Sequence, residues 1–220
     1  MKNSPQIIDL SWELSDNTPI FPGDPSIKVE GVRPNDKNSF SIKTLSTAMH
    51  VGTHLDAPSH YLASGDTVDA IALEKTIGFA TKIKVNFTNN LIKTEDIDMV
   101  YHNAYRKHSK IVIETGYSIP NNNKDYFTQF PAFEPSIIDF LIDNGIELIG
   151  LDMPSIRFDQ GGNDKAHEVI LGENIVIVEN LIHLDKLDDE FFLLCQPLNL
   201  KGFDGSLIRA VGINRWKTFY

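Results

Sequence analysis

Residues 50–60 read His50-Val51-Gly52-Thr53-His54-Leu55-Asp56-Ala57-Pro58-Ser59-His60, which puts three of the chain's seven histidines and one aspartate within eleven residues. Imidazole and carboxylate together suit zinc, iron or manganese, and a chain with one cysteine cannot build a thiolate-rich structural zinc site. His54 and Asp56 are two residues apart, so on an extended backbone their side chains face the same way. His50, four residues earlier, can share that side on a strand or on one turn of helix. Gly52 lets the backbone bend between the histidines and approach an ion closely. Pro58 stops a helix from running through the segment. The spacing predicts a strand end or loop that presents three ligands to one point. Val51 follows His50, so the His-Glu-x-x-His pattern is absent and a general base has to come from elsewhere.

His60 is that candidate. Neutral water is a poor nucleophile. Binding to a divalent ion lowers the pKa of water from about 15.7 to about 7 in good cases. Hydrolysis by such water also moves protons, and an imidazole titrates near the working pH. His60 lies six residues past His54 and beyond Pro58, where it can stand beside an ion without being its tightest ligand. Two further residues leave a structural and a functional reading open. Glu179 follows the apolar run Ile175-Val176-Ile177-Val178, and a carboxylate at the end of a buried strand needs a partner or an ion. His167 lies in Lys165-Ala166-His167-Glu168-Val169-Ile170, where a histidine on the surface of a helix would be unremarkable. Asp152 reads either as an acid orienting a ligand imidazole or as the cap of the next turn. Thr115-Gly116-Tyr117 reads as a strand ending in a turn.

The elements that must position these groups alternate. Lys82 to Phe87 alternates polar and apolar residues, as a half-buried strand does. Thr94 reads as an N-cap, followed by Ile97, Val100, Tyr101 and Ala104 at helical spacing. Ile111 to Ile113, Ile146 to Leu151, Ile175 to Val178 and Phe191 to Leu194 read as strands. Pro135 opens a helix with Ile137, Ile138, Leu141 and Ile142 as its apolar stripe, and Gly145 ends it. Residues 120–135, with three asparagines in a row and three prolines, read as one long functional loop. The interleaving predicts an α/β fold, with a mixed central β-sheet flanked by helices in a single domain over residues 1–220. The N-terminal third is richer in strands than in helices.

The composition excludes several classes. The 220 residues carry a formal charge of −10, so the partner expected is a small molecule, with no nucleic acid and no anionic membrane. No apolar run approaches the ~20 residues of a membrane span, and the first residues lack a signal-peptide pattern. Cys195, alone in the chain and set among Phe191-Phe192-Leu193-Leu194, reads as a buried thiol in a reducing compartment. A cytoplasmic protein is the expectation.

The string H-x-G-T-H-x-D-A-P-x-H at residues 50–60 resembles the signature of the cyclase-type metal-dependent hydrolases, a family that includes bacterial kynurenine formamidases and isatin hydrolases. Other segments follow in the family's order. They are Thr18-Pro19-Ile20-Phe21-Pro22-Gly23-Asp24-Pro25, Asp152-Met153-Pro154-Ser155, Glu179-Asn180-Leu181 and Gly205-Ser206-Leu207-Ile208-Arg209-Ala210. The resemblance implies a swivelling β/β/α-like fold in which His50, His54 and Asp56 hold one ion. In two-ion members the aspartate bridges, and His167 and Glu179 hold the second. It further implies zinc, or else manganese, at one or two ions per subunit. His60 is implied as proton donor and acceptor, and Phe21 as a substrate-facing aromatic where kynurenine formamidases have Trp. The activity implied is that of an arylformamidase, N-formylkynurenine to kynurenine plus formate in tryptophan catabolism. The alternatives are a cyclic amide, imide or lactone hydrolase on the same site, or a metal-binding protein without turnover. A homodimer or homotetramer is implied, with a neighbouring subunit's loop near the site and residues 120–135 as the candidate. Three positions depart from the pattern: Arg157 where the family often has Asp, Leu207 where it has Pro, and Phe21 for Trp.

Overall fold

The apolar runs form the middle of one large sheet. A computed structural model describes residues 4–33, 40–104, 107–117, 123–160 and 162–216. In chain order the elements are β1 (Gln6–Asp9), β2 (Lys28–Arg33), β3 (Ile42–Ser46), β4 (His54–Asp56), α1 (Leu73–Thr76), β5 (Ile77–Lys84), β6 (Leu91–Ile92) and α2 (Thr94–Asn103). Then come β7 (Lys110–Glu114), α3 (Asn123–Tyr126), β8 (Ala132–Phe133), α4 (Ile137–Asp143), β9 (Leu148–Leu151), α5 (Gly162–Gly172), β10 (Val176–Glu179), β11 (Glu190–Leu194), β12 (Gly205–Leu207) and β13 (Val211–Asn214).

Nine strands pair in the order β1-β13-β11-β5-β7-β9-β10-β4-β12. The central four, β5, β7, β9 and β10, are mutually parallel, and the strands on both flanks are antiparallel. This is the mixed α/β sheet expected, in a curled form. Parallel neighbours need crossover connections, and α2, α4 and α5 supply them. The central strands are buried on both faces and so read as continuous apolar runs. Alternate residues serve opposite cores. Ile111 and Ile113 pack with Ile97, Ile137, Leu141 and Ile170 from the helices. Val112 packs on the other side with Leu10, Leu55, Leu181 and Phe191.

Several local expectations need adjustment. The strand expected from Lys82 begins earlier, at Ile77, and ends at Lys84. Thr94 is the first helical residue rather than the cap, and the Glu134 carboxylate accepts its backbone N–H at 3.0 Å. In α4 Phe140 is buried and Ile142 is exposed, because the helix is only seven residues long and turns its Ile137–Phe140–Leu141 face inward. The stretch 120–135 is not all loop: it contains α3 and β8, the latter paired with β6. Residues 118–122, at its start, lie outside the described residues. Cys195 is buried and free, with its Sγ 3.2 Å from the Thr76 carbonyl oxygen. Trp12 and Trp216 are packing residues, against Tyr126 and Phe192. Among the described residues no helix is long and apolar enough to cross a membrane.

β2 and β3 form a separate two-stranded ribbon. All five side chains of β3 are exposed, Ile42 and Leu45 among them, as are Val29 and Phe40 nearby.

Candidate metal centre and substrate pocket

The sheet register assembles the site. β4 lies between β10 and β12, so His54 stands opposite Glu179 on one side and Leu207 on the other, while Asp56 stands opposite Ile177 and Gly205. Residues opposed across an antiparallel pair bring their side chains within reach. Hence the Nε2 of His54 lies 3.4 Å from Asp56 Oδ1 and 3.4 Å from Glu179 Oε2. The bend expected at Gly52 is present, with φ +58°, and it turns His50 back so that its Nδ1 meets Asp56 Oδ1 at 2.7 Å. The fourth imidazole arrives from α5. His167 Nε2 lies 3.2 Å from Glu179 Oε1 and 3.5 Å from Asp56 Oδ2. His167 is thus buried against the sheet rather than on an exposed helix face.

Each ring is oriented from behind. His54 Nδ1 donates to the Gly52 carbonyl at 2.8 Å and His167 Nδ1 donates to the Asn163 carbonyl at 2.9 Å. A carbonyl oxygen can only accept, so both rings are left with Nε2 turned to the carboxylates, the tautomer a metal ligand requires. Glu179 is held in turn by the backbone N–H of Ile156 at 3.0 Å.

Pro58 opens a single 3-10 turn, Pro58–His60, and that turn brings His60 back over the cluster. Its ring stacks on His50 with centroids 3.8 Å apart and planes at 19°. The donor atoms fall into two groups that share Asp56. His50, Asp56 and His60 offer atoms within 4.8 Å of one another, and so do His54, Asp56 and Glu179.

The electrostatics of this cluster favour a cation. Burial opposes charge on His54, but the hydrogen bonds and charges of Asp56 and Glu179 outweigh it and raise its pKa to about 10. Burial likewise opposes charge on His167, and the same two carboxylates raise it to about 10. Asp56 is held well below the usual carboxylate range, because its imidazole partners outweigh the cost of burying it. Its Oδ2 is buried and makes no hydrogen bond. A buried acceptor that meets His167 only at 3.5 Å, and imidazoles that take up protons against their own burial, mark a place where positive charge belongs. The residues present therefore fit a divalent ion. We expect ion binding near pH 7 to release protons from His54 and His167, since their free-protein pKa lies above the pH and coordination needs neutral imidazole. Affinity should then rise with pH toward about 10, by about tenfold per unit for each proton released. Calorimetry in buffers of different ionisation enthalpy measures the release.

The cluster forms the floor of a cavity of about 410 Å³, whose walls include Pro19, Phe21, Ala48, Phe127, Ser155 and Asp204. At the mouth Phe21 is 40% exposed and meets Phe127 edge-on, with centroids 5.5 Å apart. Phe127 belongs to the stretch 120–135, so that segment lines the pocket of its own chain.

All seven residues singled out from sequence, His50, His54, Asp56, His60, His167, Glu179 and Phe21, line this one cavity. Asp152 does not join them. It accepts hydrogen bonds from the backbone and hydroxyl of Thr115 and the backbone of Gly116, so it caps the turn after β7. Arg157 does not enter the site either. Its guanidinium donates to the Phe130 carbonyl and lies over that ring at 4.7 Å. The sequence carried no signal for three further groups. Phe127 is one; Tyr61, stacked on His167 at 4.8 Å, is another; Asp204, beside His50 and His60, is the third. Gly205 is also part of the design. A Cβ there would lie 2.5 Å from His50 Cε1 and 3.0 Å from the Leu55 carbonyl oxygen. Gly205→Ala should displace the His50 ring, lower metal content and cost about 1–3 kcal/mol in stability. Elemental analysis and thermal melts check both.

The family model described as "Putative cyclase" matches residues 8–157. A kynurenine formamidase of Salinibacter ruber is 27% identical over 207 residues, covering 93% of this chain and 96% of that protein. Among solved structures, isatin hydrolase A of Labrenzia aggregata, bound to benzyl benzoate, superposes with a TM-score of 0.83 at 22% identity, covering 96% of this chain and 94% of that one. A "predicted metal-dependent hydrolase" of Bacillus stearothermophilus gives a TM-score of 0.78 at 21% identity over 96% of this chain and 100% of that one. These two share the fold.

Proposed function

This chain belongs to the cyclase family, and from that premise we propose that it is a metal-dependent hydrolase of small amides, cleaving an aryl formamide such as N-formylkynurenine to the aryl amine and formate. The observation that carries the reading is the cluster itself: two buried carboxylates facing His50, His54 and His167 on the floor of an aromatic-mouthed pocket, with His60 stacked above. The S. ruber kynurenine formamidase, alike along 93% of this chain, supports the substrate class.

In this reading His50, His54 and Asp56 would hold one ion, and His167 and Glu179 would hold a second, with Asp56 contributing to both. Zinc or manganese suits a set of imidazoles and carboxylates. When bound, the ion supplies Lewis acidity, making water a better nucleophile near neutral pH and stabilising negative charge on the carbonyl oxygen. The chain's own residues do the rest. His60 takes a proton from the attacking water and delivers it to the leaving nitrogen as the C–N bond breaks. Phe21 and Phe127 offer ring faces and edges to an aryl group at the mouth. Water's oxygen ends on formate, and the nitrogen leaves as the neutral amine.

A cyclic aryl amide presents the same bond with the amine tethered to its acid, and the isatin hydrolase neighbour makes that the second reading. The test is turnover of a formylated aryl amine, a cyclic aryl amide and an aryl lactone by the zinc-loaded, manganese-loaded and chelator-treated protein. Metal-dependent cleavage of the formamide above the other two supports the proposal. No turnover of any of them leaves a metal-binding protein instead.

We further take the working unit to be a homodimer or homotetramer. The β2–β3 ribbon exposes Val29, Ile42 and Leu45 beside Lys28 and Lys43, while the chain as a whole carries −10. A second copy would cover the apolar side chains and meet the ribbon's positive charge with an acidic surface. Light scattering should give a dimer or tetramer, and Leu45→Glu should shift it toward monomer. The lone reduced thiol, Cys195, fits a cytoplasmic enzyme.

A further inference from the structure

We propose that Asp204 is the positioning residue of this site, a carboxylate that engages His50 and His60 through one ring nitrogen each and so leaves the other nitrogen of each ring for the chemistry. The inference rests on the hydrolase reading above and adds to it a residue that holds the proton carrier.

The geometry is specific. Asp204 Oδ2 lies 3.2 Å from His50 Nε2 and 3.6 Å from His60 Nδ1. The two rings it approaches are stacked with centroids 3.8 Å apart, so one carboxylate oxygen reaches the same edge of both. On His50 the opposite nitrogen, Nδ1, is the atom that meets Asp56 at 2.7 Å. Facing a carboxylate at each nitrogen, the ring donates from both; on losing the Nδ1 proton to ion binding it would keep the one on Nε2 that Asp204 holds, the arrangement in which an outer carboxylate orients a ligand imidazole. The backbone carbonyls of Gly52 and Asn163 do the same for His54 and His167. Among the described residues no backbone carbonyl faces the outer nitrogen of His50, and Asp204 takes that place.

For His60 the case is stronger. Among the described residues, its ring nitrogens make no hydrogen bond, and the Asp204 carboxylate is the acceptor that faces one of them. At 3.6 Å the contact is longer than a hydrogen bond, and contacts of catalytic groups are often long before substrate arrives. A carboxylate on Nδ1–H leaves Nε2 as the basic atom. That is the division of labour by which an acid fixes the tautomer of a proton-carrying histidine in the serine-protease triad.

Asp204 is itself well placed. Its backbone carbonyl accepts from Ala57 N at 2.9 Å, and the next residue, Gly205, pairs with Asp56 in the sheet. The carboxylate is therefore tied to the same ladder that carries Asp56. Gly205, lacking a Cβ, leaves the space that the His50 ring occupies beside it. The Asp204 side chain is half exposed, so the core does not depend on it.

The test uses the zinc-loaded protein and two variants, Asp204→Ala and Asp204→Asn, read by turnover, zinc content and the ¹⁵N shifts of the His60 ring. Asp204→Ala, assayed at saturating zinc, should change KM by less than about threefold, while kcat falls about 10²-fold and zinc affinity weakens by no more than about 10²-fold. Its His60 should move from the Nδ1–H tautomer toward the Nε2–H form. Asp204→Asn retains a neutral acceptor and should recover about tenfold of the loss. An unchanged His60 tautomer, or a kcat within twofold of wild type at saturating zinc, would overturn the assignment. If wild type turns over none of the amides, the hydrolase reading fails by itself, and the ring shifts still decide whether Asp204 sets the tautomer.

Discussion

Asp56→Asn should lower kcat/KM by at least about 10³-fold and weaken metal binding by more than about 100-fold, the upper end of what the loss of an outer-sphere partner costs. Asp56 is the one side chain common to both donor groups. Its carboxylate lies 2.7 Å from His50, 3.4 Å from His54 and 3.5 Å from His167. An amide keeps the shape and removes the charge that those three imidazoles share. With Glu179 left as the one buried carboxylate beside these rings among the described residues, the pKa values of His54 and His167 should fall back from about 10. Dialysed protein analysed for metal, together with kcat/KM on the best amide substrate, gives the answer. A variant with full metal and more than a tenth of the activity would remove Asp56 from the proposed ligand set.

His60→Ala is the second. Its kcat should drop by about 10²–10⁴-fold, the range for removing a positioned acid–base group, while the metal stays. Retention of metal is the discriminating part, because His60 lies close enough to His50 and Asp56 to serve as a third donor. Loss of metal would make it a ligand and leave the proton carrier unassigned. The wild-type pH profile adds a check. Burial lowers the His60 pKa below the ordinary imidazole value of 6.5, and the neighbouring His50 and His167 push the same way, against the opposing pull of Asp56 and Asp204. A lowered imidazole pKa keeps the basic form down to lower pH, and a bound cation pushes in that direction too. The acid limb of kcat/KM should therefore fall below pH 6.5 and vanish in His60→Ala.

The central strands were legible because burial on both faces forces continuous apolar runs, as in Ile111–Ile113 and Val176–Val178. Element ends were less so. Thr94 looks like a cap by residue type, yet the Glu134 carboxylate, forty residues away in sequence, satisfies that helix's first N–H instead. Within 120–135, α3 and β8 form because Tyr126, Phe130 and Phe133 bury their rings in the core, which no local propensity announces. The tight segment from His50 to His60 was readable since its ligands are neighbours in sequence and their spacing is itself geometry.

By itself the sequence determined the donor chemistry. Imidazoles and carboxylates at spacings of two, four and six residues can meet at one ion whatever surrounds them, because a strand repeats every two residues and one bend at Gly52 suffices. Only the tertiary structure decided which distant groups complete the set. Glu179 meets His54 because β10 and β4 pair in one register, His167 because α5 packs its buried face on that sheet, and Asp204 because β12 closes the other side. Register and packing are settled by the burial of the whole core, and that information is spread over residues that never touch the ion.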